Sequence, residues 1–398
     1  MRQDIRRLAP VSAFFALSGF THGSWTPRLP GIVEQIGADV GILGITLTGS
    51  SIGMIIAASL AGRLCMAFGA RRMLAASTLL VCLMLPLLGS VTTVVAFGIA
   101  LVVLGLGIGL LDVAMNVAAA AMEQRLDRPV MSIFHAALPI GGVLASLAAA
   151  LAAGLKISPQ AHLLVVGVVG LAVTLTALRA IPKDLTGQPK QDAAGSAGRA
   201  PFRLPALWLL AGVALCSVIA EGTAGKWSAL FLVGDRGVSE GAAALAYTVF
   251  AASMMVARLF GEQVRNRWSA ARILVCTSVI AAFGLLGAVL VPSALASYLG
   301  FALAGVGLAY AFPVALAMAG KAGRDNGGDG AREIGFVTTV AYCGSFAGSP
   351  LVGGIAQVSS LAVAFVVVGL LAALIGPLGA SAQAVLGKKK QPEPTARQ

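Results

Sequence analysis

The chain has 398 residues, 58% of them hydrophobic and only 11% charged, with a mean hydropathy of +0.90, which leaves too little polar surface to coat a water-soluble globule. Its formal net charge of +12 would suit a nucleic-acid binder if the cations formed one patch, but they are dispersed in short turns, and nucleic acid is excluded as a partner on that ground. An enzyme is excluded too, since no nucleophile and base set, metal-ligand cluster or phosphate loop is visible, and no cofactor is expected.

Apolar stretches long enough to cross a hydrocarbon core, roughly 20 residues, occupy 9–29, 41–64, 73–90, 93–122, 131–154 and 161–181, then 204–233, 241–261, 272–292, 295–320, 333–356 and 361–386. The chain reads as an all-α membrane protein with twelve transmembrane helices in two pseudo-symmetric six-helix bundles. The amino-terminal bundle is 1–181, a Pro-, Lys-, Gly- and Ser-containing linker spans 182–203, the carboxy-terminal bundle is 204–387, and 388–398 is a tail. The first stretch follows Arg6 and Arg7 as a secretory signal would. No small-x-small cleavage site follows it, and the run continues through His22, Trp25 and Arg28, so it is assigned as a membrane helix.

All of the 28 Lys and Arg residues except Arg28, Lys156, Lys226 and Arg236 fall on one side of these stretches when both termini are placed in the cytoplasm. That is the positive-inside pattern of a multi-pass protein of the bacterial inner membrane. The five cysteines (Cys65, Cys82, Cys216, Cys276 and Cys343) are scattered through the stretches without metal-ligand or redox spacing.

Ionisable and aromatic residues inside the stretches are the candidate binding residues, because such groups are costly in lipid and mark solute or proton pathways. In the first stretch His22 stands one turn before Trp25 and Thr26. In the fourth, Asp112 lies eleven residues before Glu123, roughly 16 Å deep at the rise of a helix, and Asn116 follows one turn later on the same face. The alternative role for both is to stitch helix four to a neighbour. His135 sits in the inner half of the fifth stretch, where an imidazole trades protons near neutral pH, whereas His162, at the start of the sixth, is assigned to the interface. The seventh carries Glu221, then Lys226, which is free to snorkel outward, and Trp227, a ring suited to stacking on a sugar face. Arg258 and Glu262 are spaced to pair along one helix face. Tyr310 and Tyr342 are further cavity candidates, with plain helix packing as their alternative.

The same features recur on either side of the linker. Gly62-Arg63-Leu64 with Arg72-Met73-Leu74 is matched by Ala257-Arg258-Leu259 with Arg272-Ile273-Leu274, Gly105-Leu-Gly107 by Gly305-Val-Gly307, and Pro139-Ile-Gly141-Gly142 by Pro350-Leu-Val-Gly353-Gly354. Two duplicated bundles around a midplane site are common in secondary transporters.

On these features the whole chain resembles the major facilitator superfamily. The loop from Gly62 to Gly69-Ala-Arg71-Arg72 resembles that family's inner-gate motif, Gly-x-Leu-x-Asp-Arg-x-Gly-Arg-Lys, except that Met66 stands at the acidic position. The resemblance implies gating roles for Arg63, Arg71 and Arg72, with Arg258 and Glu262 supplying the latch in the second half. Within the superfamily Leu111-Asp112-Val-Ala-Met-Asn116, Ser132-Ile-Phe134-His135, Glu221-Gly222 with Trp227-Ser228, and Gly348-Ser-Pro350-Leu-Val-Gly353 are similar to a bacterial branch, itself distantly similar to the fucose:proton symporters. In those symporters a fourth-helix Glu, an Asn four residues later and a fifth-helix Asn fall where Asp112, Asn116 and His135 stand here. Their first-helix proton-coupling Asp is replaced by Thr26. The resemblance thus implies alternating-access transport of a small polar solute, sugar-like or another small organic molecule, by a proton-coupled monomer in the lipid bilayer. The alternatives are efflux of hydrophobic compounds and a transport-silent solute sensor.

Overall fold

The computed structural model describes residues 2–126, 130–181, 204–328 and 330–388, and every regular element among them is helical. α1 runs Arg2–Trp25, passes through a 3-10 turn at Thr26–Arg28 and continues as a short helix, Leu29–Ile36. Next come α2 (Val40–Phe68), α3 (Ala70–Ser90), α4 (Val94–Leu126), α5 (Met131–Gly154) and α6 (Pro159–Ala180). The second half supplies α7 (Pro205–Arg236), α8 (Glu240–Leu259), α9 (Ala270–Leu290), α10 (Ala294–Asp325), α11 (Ala331–Val358) and α12 (Leu361–Gly387). Each apolar stretch of the sequence is occupied by one of these helices. Ten of them are long and apolar enough to cross a membrane; α1 and α11 are outside that set, α11 because Arg332, Glu333 and many Gly, Ser and Thr residues dilute its apolar character.

Local chemistry sets the helix ends. Ser158 accepts a hydrogen bond from Ala161 N at 3.2 Å, with Pro159 opening α6, and Ser269 accepts one from Arg272 N at 3.3 Å at the start of α9; a hydroxyl cap and a leading proline are strong helix starts. Gly69, at φ 82°, makes the tight turn between α2 and α3 that a side chain would strain. α10 breaks at Ala309–Tyr310, and Pro313 falls in the first turn of its second part, where a missing N–H is tolerated.

Contacts group the described residues into two compact units. The first contains α1 to α6 together with Gly225–Ala252 and Ser349–Leu361; the second contains α7 up to Ala224, Ser253–Gly348 and α12 from Ala362. The expected linker 182–203 and all of the tail 388–398 except Lys388 lie outside the described residues.

In the first unit, small residues carry the helix crossings. Gly105 of α4 lies against the Ser50 carbonyl of α2, and Gly53 of α2 against the Val102 carbonyl of α4. Gly141 of α5 meets the Ala16 carbonyl of α1, and Gly23 of α1 meets Gly142 of α5. Lipid offers no hydrophobic gain for bringing helices together, so association depends on this close backbone approach. Aromatic residues fill the remaining space, with Phe14, Phe15 and Phe134 fully buried. On α3, Leu79, Leu83 and Leu87 are exposed at four-residue steps while Leu74, Val81 and Leu85 are buried, so the outward stripe is as aliphatic as the core, as a lipid-facing helix requires.

The second unit repeats the device between α9 and α10. A Cβ on Gly300 would stand 2.5 Å from the Gly284 carbonyl oxygen, and one on Gly307 would stand 2.7 Å from Ala281 Cα. Phe301 of α10 and Phe365 of α12 pack with ring centroids 5.6 Å apart.

Candidate solute and proton site

Asp112 lies two residues past the middle of α4, about 3 Å along the axis. It packs among neighbouring atoms yet keeps part of its surface exposed. His135 of α5 is close enough to interact with it electrostatically, and the imidazole is itself exposed and set edge-on to Phe15 of α1 at 5.0 Å. Asn116 donates its side-chain N–H to the Asp112 backbone carbonyl at 2.8 Å. The amide is therefore partly committed to its own helix while its oxygen stays free to accept. His135 of α5 thus lies near Asp112 of α4, with Asn116 one turn further along the same helix.

The first unit holds a second polar group. His22 of α1 donates from Nδ1 to the Ser18 carbonyl at 3.2 Å, since a carbonyl only accepts, and it lies within electrostatic range of Lys226 of α7. The Lys226 ammonium turns inward to Ser349 Oγ of α11 at 3.4 Å, and Ser349 is buried; the lysine does not snorkel. Trp227 is completely enclosed, so its ring packs among neighbouring helices and presents no face for stacking.

In the second unit Glu221 forms an ion pair with Arg258 across 3.7 Å, both half exposed. Arg258 also donates to the Ala309 carbonyl at 3.3 Å, and the Tyr310 hydroxyl donates to the Ala257 carbonyl, so both residues tie α8 to the break in α10. Glu262, expected to latch with Arg258, is exposed and has no ion pair among the described residues. Tyr342 is 56% exposed. Of the basic-turn residues, Arg71 donates twice to the Leu178 carbonyl, at 3.0 and 3.3 Å, capping the last turn of α6, whereas Arg63 and Arg72 are exposed.

One constellation escapes sequence reasoning. Arg28 is 1% exposed and donates from Nε to Glu240 Oε1 at 2.9 Å and from Nη2 to the Ile157 carbonyl at 2.7 Å. It thereby joins the end of α1, the turn after α5 and the start of α8. His162, assigned to the interface, is buried nearby, with neither ring nitrogen bonded to the protein. Arg28 and Glu240 are 212 residues apart, so no local spacing rule connects them; the sequence signal is that Arg28 is one of only four cations on the side that is otherwise poor in them.

The Major Facilitator Superfamily model matches residues 11–329. The chain belongs to the major facilitator superfamily. It is 32% identical to an uncharacterized MFS-type transporter of Yersinia pestis, over 94% of each chain, and 31% identical to the transporter y4wD of Sinorhizobium fredii, over 95% of this chain and 98% of that one. It is also similar to the membrane protein MosC of Rhizobium meliloti, at 24% identity over 97% and 92% of the two chains. Among solved structures it shares its fold with a variant of the nucleoside transporter NupG, with a TM-score of 0.77 at 15% identity over 95% and 99% of the chains. A bacterial homologue of the human lysosomal transporter Spinster gives a TM-score of 0.75 at 16% identity over 97% and 98%. This superfamily member is a multi-pass membrane transporter, not an enzyme.

Proposed function

We propose that this transporter carries a small polar solute across the bacterial inner membrane by alternating access, as a monomer with both termini in the cytoplasm, and that Asp112 couples the movement to protons. The observation that carries the proposal is an accessible carboxylate two residues from the middle of α4, with His135 beside it and Asn116 one turn on. A carboxyl at this depth exchanges its proton with whichever side has water access, and the histidine offers it a partner in the charged form. Coupling then requires only that protonation change the balance of the two access states or the solute affinity unequally. The skewed distribution of cations supports the orientation. The polar groups of α4 and α5 favour a hydrophilic cargo over a hydrophobic one, which would be served better by an apolar surface.

Flux into proteoliposomes under an imposed pH gradient tests the proposal. Asp112→Asn is expected to abolish proton-driven accumulation while leaving binding and solute exchange in place. A variant that still concentrates its solute as well as the parent would remove Asp112 from the mechanism.

A further inference from the structure

Among the described residues of the first unit, Lys226 is a cation at membrane depth without an acid partner. It stands five residues past Glu221, about 8 Å along α7 from the helix middle. It donates to a neutral hydroxyl, Ser349 Oγ at 3.4 Å, and lies within electrostatic range of the His22 imidazole. Among the described residues no carboxylate pairs with it: Glu221 is engaged by Arg258, and Glu240 by Arg28.

An ammonium at this depth costs several kcal/mol unless something offsets the charge. Long lysines commonly avoid the cost by reaching for the aqueous boundary, yet here the side chain points to a buried serine on another helix. Lys226 of α7, bonded to Ser349 of α11 and within electrostatic range of His22 of α1, is therefore a positive charge for which the described residues supply no counter-ion. The His22 Nδ1 proton is used by Ser18, so Nε2 is the ring position left for a ligand.

We propose that Lys226, Ser349 and His22 form an anion subsite, and that the transported solute is a small organic carboxylate whose charge pairs with the Lys226 ammonium. The inference rests on the transport proposal above only in taking the ligand to be the solute. A single point charge flanked by one hydroxyl matches one carboxylate group; a planar two-pronged partner would call for arginine. Ser349 donates the second hydrogen bond. The neutral His22 ring, with Nδ1 donating to Ser18, accepts at Nε2 from a hydroxyl of the solute.

Melting of the purified protein in detergent tests this, with sodium lactate, succinate and gluconate as probes and glycerol and glucose as neutral counterparts at matched ionic strength. At least one carboxylate is expected to raise the melting temperature saturably, and neither neutral probe to do so. Lys226→Gln is expected to weaken that carboxylate's apparent affinity about ten-fold or more, the scale of one hydrogen bond to a charged group, and Lys226→Arg to restore part of it. Because the lysine lacks an acid partner, Lys226→Gln is expected to melt no lower than the parent without ligand. A marked fall in that basal value, undiminished carboxylate affinity in Lys226→Gln, or no response to any carboxylate would overturn the inference. If glucose binds instead and is accumulated in an Asp112-dependent manner, the anion subsite fails and the transport proposal stands. If a carboxylate binds through Lys226 but is never moved in proteoliposomes, the subsite stands and the transport proposal fails.

Discussion

Two arginine–glutamate pairs show how differently one chemical contact is used in this transporter. Arg28 and Glu240 meet at 2.9 Å with the arginine 1% exposed and a backbone carbonyl completing the cluster, whereas Arg258 and Glu221 face each other across 3.7 Å with both side chains about two-fifths exposed. In the first pair Arg28 has lost its water and depends on Glu240, which itself stays 29% exposed. The second keeps water as a competitor and can open at little cost. Sequence depth would have ranked them the other way, since Glu221 sits at the middle of its helix and Arg28 at the end of one. Enclosure by neighbouring helices, rather than position along the helix, decides how much a charge pair contributes.

The largest effect is therefore expected from Glu240→Ala, which leaves the Arg28 guanidinium enclosed without an anion. Breaking a buried pair from one side costs about 3–5 kcal/mol, read as a lower midpoint in denaturant or thermal unfolding of the detergent-solubilised protein. Replacing both partners together, as Arg28→Met with Glu240→Leu, should recover most of that loss, because the desolvated charges disappear as a set. If the double variant is as unstable as the single one, the pair is not a mutually dependent unit and the contrast with Arg258 and Glu221 is wrong.

Two adjacent glycines give a smaller and more finely resolved test at the same end of the first unit. A Cβ on Gly353 would stand 2.7 Å from Gly44 Cα and 2.8 Å from the Val40 carbonyl oxygen, while one on Gly354 would meet nothing within 4 Å. Gly353→Ala is expected to destabilise by about 1–3 kcal/mol, since the neighbour is rigid backbone. Gly354→Ala is expected to be neutral, or stabilising by up to about 1 kcal/mol, through helix propensity. Melting curves that fail to separate the two would mean that α2 and α11 are not held at this close approach.

The architecture was legible from the chain because membrane helices declare themselves locally: a long apolar run needs no tertiary knowledge, and every expected stretch from 9–29 to 361–386 is occupied by helix. The small-residue motifs were legible too, as Gly105, Gly141 and Gly353 all mark close approaches. The α4–α5 site was half legible, since Asp112 and Asn116 are one turn apart while the edge-on contact of His135 with Phe15 depends on how α1 crosses α5. What escaped were partners chosen across long sequence separations. Glu262 was paired with Arg258 by i,i+4 spacing, yet the pair forms with Glu221; Trp227 was read as a sugar platform, yet it is enclosed. Spacing rules describe one helix at a time, and a bundle resolves the choice by which faces meet.

The smallest loss of stability is expected where the sequence expected a latch. Arg258→Ala removes an ion pair longer than a hydrogen bond and about two-fifths exposed, together with one donor to the Ala309 carbonyl, so the loss should stay within about 1 kcal/mol. Glu221→Gln removes the same charge contact and leaves the carbonyl bond in place, so it should cost less still. The two variants therefore divide the side chain's work. If Arg258→Ala is clearly the less stable on melting, the hydrogen bond at the break in α10 matters more than the charge; if the two are equal, the ion pair carries the contribution. A loss from either variant as large as that from Glu240→Ala would show that Arg258 and Glu221 are shielded from water after all, and would erase the distinction between the two pairs.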